Sequence, residues 1–200
     1  LVRVRGKKKF MGLRDQIRQR LAEVEQRRLT TGFSREAAVL LLVFEREGQP
    51  HILLTRRTQD VRTHKGQISF PGGMRLDGES LDRTALRETF EEVGINDTQI
   101  ELLGRFHDYV SSSEYLVAPF VGFIEQAFTT EPQAREVAEI LQVPFQVFID
   151  PARMRVERMM RSGKMLDVYF YSVAPHEIWG LTARIIKDFL EVVRYPDFVS

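Results

Sequence analysis

The chain has 200 residues, 43% hydrophobic and 28% charged, which suffices for a sizeable core and is ordinary for a globular protein. A net charge of +1 gives no basis for attraction to nucleic acid or a membrane, and the absence of cysteine excludes a disulfide framework, a thiol nucleophile and thiolate metal sites. No apolar run approaches the ~18–20 residues of a transmembrane helix.

Residues 1–10, LVRVRGKKKF, are basic and show neither helical nor strand periodicity. They read as an extension outside the fold, with a polybasic arm as the alternative, and one domain is expected over residues 11–200. From Met11 to Arg27, Leu13, Ile17, Leu21 and Val24 recur at steps of three and four, which predicts an amphipathic helix packed on the core. Ala37–Phe44 is a continuous apolar run, as in a strand covered on both faces, and His51–Arg57 reads as its hairpin partner across Glu47-Gly48-Gln49-Pro50. A polar stretch then leads through Gln67–Phe70 into Pro71-Gly72-Gly73, a tight turn where backbone can approach a ligand.

The stretch from Gly73 to Ile95 organises the rest. Ser80 stands at an N-cap position and Gly94 where a left-handed residue ends a helix. Ala85, Leu86, Thr89, Phe90 and Val93 are assigned to the inner arc of this helix, and Glu88, Glu91 and Glu92 to the outer one. Carboxylates this close repel by a few tenths of a kcal/mol per pair, roughly, and a hard divalent cation would offset that. For an isolated acidic run the ordinary reading is a solvated helix face.

Further strands are expected over Gln99–Tyr109 and Tyr115–Ile124, joined by the SSSE loop, and over Glu136–Val143, followed by a short helix through Phe148. Met154–Met160 and Met165–Tyr171 flank a hairpin turn at Ser162-Gly163-Lys164. The last helix is expected over Trp179–Val193, with Leu181, Ile185, Ile186, Leu190 and Val193 inward. This order predicts an α/β (α+β) fold with helices on both faces of a central mixed sheet.

Gly73, Glu79, Arg87, Glu88, Glu91, Glu92, Gly94 and Ile95 spell G-x5-E-x7-R-E-U-x-E-E-x-G-U, which resembles the box of the Nudix hydrolases. Thr89 departs from it, standing where that family usually has an aliphatic residue. Just upstream, Leu53, Leu54, Thr55, Arg57, Arg62, Gly66, Phe70, Pro71, Gly72 and Gly73 resemble the additional motif of the coenzyme A diphosphatase branch, with Thr58 in place of Ser or Ala. The IWGLTARII segment around Trp179 is similar to that branch too.

The resemblance implies a Nudix-type α/β/α sandwich that hydrolyses a diphosphate bridge with Mg²⁺ or Mn²⁺. It implies coenzyme A or a related nucleoside diphosphate as substrate; the ending Phe198-Val199-Ser200 is no peroxisomal tripeptide, so a cytoplasmic setting is expected, and the near-neutral charge predicts no nucleic-acid or membrane partner. It makes Glu88, Glu92 and the Gly72 carbonyl the metal ligands, with Glu79, Gly73 and Arg87 holding the acidic helix and its turn in register. The general base falls to Glu136 or Glu91, with Glu139 and Glu114 behind them. Arg57, Arg62 and Lys65 are expected at the substrate's phosphates, with Arg56 and His64 adding to the local charge; any one of them is as readily a solvated loop residue. Trp179 reads either as a wall of the substrate pocket or as a core anchor, and Phe70 and Phe120 as core. A homodimer is left open. So are hydrolysis of ADP-ribose or a dinucleotide, a nucleotide sensor without turnover, and an RNA-cap role resting on residues 1–10 alone.

Overall fold

A computed structural model describes residues 11–29, 33, 35–59, 66–161 and 163–195, and for Arg161 and Lys164 the backbone only. The elements in chain order are α1 (Leu13–Glu23), β1 (Glu36–Arg46), β2 (Gln49–Arg57), β3 (Ile68–Ser69), β4 (Gly72–Met74) and α2 (Leu81–Val93). Then come β5 (Glu101–Arg105), β6 (Tyr109–Val110), β7 (Leu116–Ile124), β8 (Val137–Pro144), α3 (Phe145–Ile149), β9 (Met154–Arg161), β10 (Lys164–Val173), β11 (His176–Trp179) and α4 (Leu181–Val193).

The central sheet has eight strands in the order β3-β2-β1-β7-β5, with β4 on β1, β6 on β7 and β8 on β2. It is mixed, because β1 runs parallel to β7 and antiparallel to β2 and β4. The apolar run in β1 serves both faces. Leu41 and Val43 point to the layer containing Ile17 of α1 and Phe189 of α4, while Leu40 and Leu42 point to that containing Ala85 and Val93 of α2. An α/β/α sandwich follows from this period of two.

The β1–β2 turn is tighter than the four-residue break expected: Glu47 (φ 54°) and Gly48 (φ 72°) both take positive φ, as a two-residue primed hairpin turn requires, and Pro50 already pairs with Glu45. The predicted first helix ends early, with Val24 extended. Its continuation runs across the chain between β5 and β6, where the Asp108 side chain accepts from the Leu29 amide at 2.9 Å and from Arg105 at 2.7 Å. Asp108 is fully buried, and these bonds break the single strand expected over Gln99–Tyr109 in two.

A second, three-stranded sheet, β11-β10-β9, carries the expected hairpin plus one more strand. Trp179 ends β11 rather than opening the last helix, paired with Phe170 and stacked on its ring at 6.1 Å. At 38% exposure it is not a core anchor. Phe70 and Phe120 are buried, as expected.

Candidate active site

The site is built where β4 passes under α2. Val39, Ala38 and Ala37 of β1 pair with Gly72, Gly73 and Met74, which fixes β4 against the centre of the sheet. A β-carbon on Gly73 would stand 2.4 Å from the carboxyl carbon of Glu88, and one on Gly72 would stand 2.4 Å from the Ala38 carbonyl oxygen. Both lie well inside van der Waals contact, so Gly73 lets the Glu88 carboxylate lie directly on β4, and Gly72 lets β4 pass close to the β1 backbone.

Helix α2 starts at Ser80 and ends at Gly94, which has φ 75° and donates its N–H to the Phe90 carbonyl. The Ser80 hydroxyl makes no capping bond. Glu79 instead ties the entry turn to the first turn of the helix, accepting from the Leu76 amide at 3.2 Å and from the Thr84 hydroxyl at 2.7 Å. Arg87 donates to both Glu79 oxygens, at 2.9 and 3.1 Å, to Glu88 at 2.8 Å, to Glu91 at 3.1 Å and to the Met74 carbonyl at 3.2 Å. One planar guanidinium thereby ties the entry turn, β4 and the acidic face together. The Arg87 hydrogen bonds, with those from Thr84 and Leu76, draw Glu79 down to about 2.

The division of the helix into an inner and an outer arc needs correction at two positions. Glu92 is 5% exposed, whereas Phe90 is 51% exposed. At about 100° per residue Glu92 lies only about 20° from Ala85, so it belongs to the inward edge, while Phe90 falls on the outer edge. Burial pushes Glu92 up to about 8, against the pull of Arg57 and of the Gly72 amide hydrogen bond, and Glu88 adds to the rise. Glu88 is raised by burial too, opposed chiefly by Arg87. The backbone around Glu92 is closed by a crossing loop, in which Gln133 N–H bonds to the Glu92 carbonyl at 3.0 Å and Glu131 N–H to that of Val93 at 2.8 Å.

Among the described residues, two buried polar atoms here lack partners: Oε2 of Glu92 and Nε of Arg57. Among the described residues no three carboxylate or imidazole side chains already surround one point, and Glu88 is drawn toward Arg87. The donor set nevertheless fits a hard divalent cation. Among the described residues it offers two desolvated carboxylates one helical turn apart, one with an unused oxygen, and Gly73 lets the Glu88 carboxylate lie directly against the β4 backbone.

A model of the NUDIX domain matches residues 34–165. The chain belongs to the Nudix family. It is 38% identical over 162 residues to the uncharacterized Nudix hydrolase NudL of Photorhabdus laumondii subsp. laumondii, covering 80% of this chain and 86% of the relative. It is 33% identical over 176 residues to the chloroplastic Nudix hydrolase 22 of Arabidopsis thaliana, covering 83% of this chain but 58% of that protein. Among solved structures, a MutT/nudix family protein of Enterococcus faecalis superposes over 92% of this chain and 76% of its own, with TM-score 0.53 and 16% identity, a likeness of fold alone. The protein is therefore a Nudix hydrolase, acting on pyrophosphate bonds. Nudix hydrolases generally need divalent cations.

The remaining expected residues of the Nudix site are placed as follows. Glu136 lies on the turn that enters β8, its carbonyl accepting from the Thr58 amide at 2.9 Å, and its charge is felt by both Glu88 and Glu92. Among the described residues Glu91 is held by Arg87, with its side chain 54% exposed. Glu139 is engaged elsewhere, paired with Arg56 at 3.0 Å and with His176 at 3.0 Å, and Glu114 sits in the β6–β7 loop with φ 62°. Arg62, His64 and Lys65 lie outside the described residues. Sequence reasoning missed Thr84, whose side chain is fully buried and bonds Glu79. A threonine four residues after Ser80, on the inward side of the helix, was its signal. Thr89 is fully buried as well, its hydroxyl returned to the Ala85 carbonyl at 2.7 Å, which explains how the site tolerates a polar residue there.

Proposed function

We propose that the protein hydrolyses the diphosphate bridge of coenzyme A or its derivatives, giving phosphopantetheine, free or acylated, and adenosine 3′,5′-bisphosphate. The observation that carries this reading is Arg57, which belongs to the motif similar to the coenzyme A diphosphatase branch. Its guanidinium has a buried Nε without a partner among the described residues and acts electrostatically on Glu92. A cation facing the acidic pair suits a substrate whose diphosphate is followed by a further phosphate.

Glu88, Glu92 and the Gly72 carbonyl would hold Mg²⁺ or Mn²⁺. Bound there, the cation supplies charge neutralisation on the bridge and lowers the pKa of water. The chain's own residues do the rest. Glu136, on the turn facing both carboxylates, takes a proton from the attacking water as its oxygen bonds to one phosphorus and the bridging P–O bond breaks. Glu91 is the second candidate for that proton. Arg87 and Glu79 keep Glu88 and the β4–α2 turn in place, and Gly73 lets them approach. Arg57, with Arg62 and Lys65, orients the phosphorylated nucleoside.

Comparison of Arg57→Ala with the parent on coenzyme A and ADP-ribose tests the assignment. Coenzyme A turnover should fall more than ADP-ribose turnover, by about tenfold or more, as a charge-assisted contact is worth about 1.5–3 kcal/mol. Equal losses on both would remove the specificity argument and leave a general nucleoside diphosphate hydrolase.

A further inference from the structure

On the outer side of the β4–α2 turn lies a cavity of about 410 Å³, within the range of about 300–1,000 Å³ usual for small-molecule sites. Its lining comprises Phe33, Arg35, Glu36, Met74, Arg75, Leu76 and Asp77. The apolar members are unusually open, with Leu76 57% and Met74 37% exposed. The cavity is not remote from the acidic helix. Met74, on its wall, gives its carbonyl to Arg87, and Arg87 bonds Glu88.

Charge decides what this cavity takes. Two arginines face two carboxylates, so the lining is neutral, and Arg75 is already matched to Glu36 at 2.7 Å. Arg35 makes no ion pair among the described residues. It donates to the Tyr115 hydroxyl at 3.0 Å and lies over that ring at 5.5 Å. A second phosphate would meet Glu36 and Asp77 as well as the arginines. A neutral chain with amide carbonyls would meet spare guanidinium N–H groups and three apolar side chains. Arg57, at the end of β2, acts on Glu92 instead, which suits the phosphorylated nucleoside.

We infer that this cavity binds the neutral, amide-bearing arm of the substrate, the pantetheine half, and so sets which way round the diphosphate lies. The inference rests on the coenzyme A reading above. The bridge then spans the acidic helix with its charged half toward Arg57 and its neutral half over Met74 and Leu76. Leu76 and Arg35 select the substrate without touching the reacting atoms.

The test uses the full chain with Leu76→Asp and Arg35→Ala, whose side chains are at the surface, with thermal unfolding to confirm that each folds. Titration calorimetry with 4′-phosphopantetheine in the presence of Mg²⁺ should show binding to the parent, weakened about tenfold or more by either change. In kinetics, KM for coenzyme A should rise by a similar factor while kcat, and both constants for ADP-ribose, stay within about twofold. Parent binding of 4′-phosphopantetheine that is lost in Leu76→Asp, without cleavage of coenzyme A, would fault the assigned reaction and leave the cavity's role standing. Cleavage of coenzyme A with a KM indifferent to both substitutions would overturn the cavity's role and leave the reaction standing. No binding of 4′-phosphopantetheine to the parent, or equal losses on the two substrates, would overturn it too.

Discussion

Arg87 holds Glu79 with two nitrogens, Nε to Oε1 at 2.9 Å and Nη2 to Oε2 at 3.1 Å. The same guanidinium also bonds Glu88. A lysine carries the charge but not the fork, so it can keep one of these contacts and not all of them. Arg87→Lys is expected to lower kcat/KM by about 10–100-fold, the usual cost of losing a group that orients metal-binding side chains. Mn²⁺ affinity, measured on the same variant by titration, should weaken in parallel. Activity within twofold of the parent would mean that the fork orients nothing.

Glu79 provides a prediction in acid. Its hydrogen bonds with Arg87 hold it near 2, below its ordinary value of 4.5, so the folded state binds fewer protons there than the unfolded chain does. The stability it adds is complete above about 4.5 and is lost as the pH falls toward 2. Urea unfolding of the parent and Glu79→Gln should differ at pH 6 and converge near pH 2. A constant difference between the two proteins over that window would contradict the assignment.

Glu92 behaves in the opposite sense. Burial raises it to about 8, so the folded state without metal favours the protonated acid. The stability of the metal-free protein should therefore fall as the pH rises from about 4.5 to about 8, by up to about 1.4 kcal/mol per pH unit from this group. Glu92→Gln should flatten that slope and abolish hydrolysis, and Mn²⁺ should stabilise the parent more at pH 8 than at pH 5. Hydrolysis at the parental rate by Glu92→Gln would remove Glu92 from the site.

Gly73→Ala adds one methyl where the Glu88 carboxylate already stands, within 2.4 to 2.6 Å of three of its atoms. The Glu88 carboxylate must swing away from this place and from Arg87, so activity is expected to fall by about 10-fold or more while stability falls by about 1–3 kcal/mol at most. Gly12→Ala, with nothing within 4 Å of the added carbon, is the control for the added methyl. Chemical denaturation of both variants, together with their activities, separates a steric role from a general glycine effect.

The fold was legible where periodicity speaks directly. The continuous run of β1 announces burial on both faces, and the spacing of Leu181, Ile185, Ile186, Leu190 and Val193 announces one inner face of α4. It was not legible where a side chain overrides the pattern. The buried Asp108 splits one expected strand into β5 and β6, and Trp179 is held in β11 by pairing with Phe170. At the site, the spacing of the carboxylates was readable but their burial was not, because a glutamate on the inner edge of a helix scores as polar wherever it sits. Thr84 went unread because its position, four residues after Ser80 on the inward side, signals a buried hydroxyl without naming the carboxylate it bonds.

The central claim is most directly tested by product analysis on coenzyme A and ADP-ribose in parallel, with and without Mg²⁺ or Mn²⁺. The account predicts metal-dependent release of adenosine 3′,5′-bisphosphate from coenzyme A, faster than any AMP from ADP-ribose. Faster turnover of ADP-ribose, or no adenosine 3′,5′-bisphosphate at all, would contradict it.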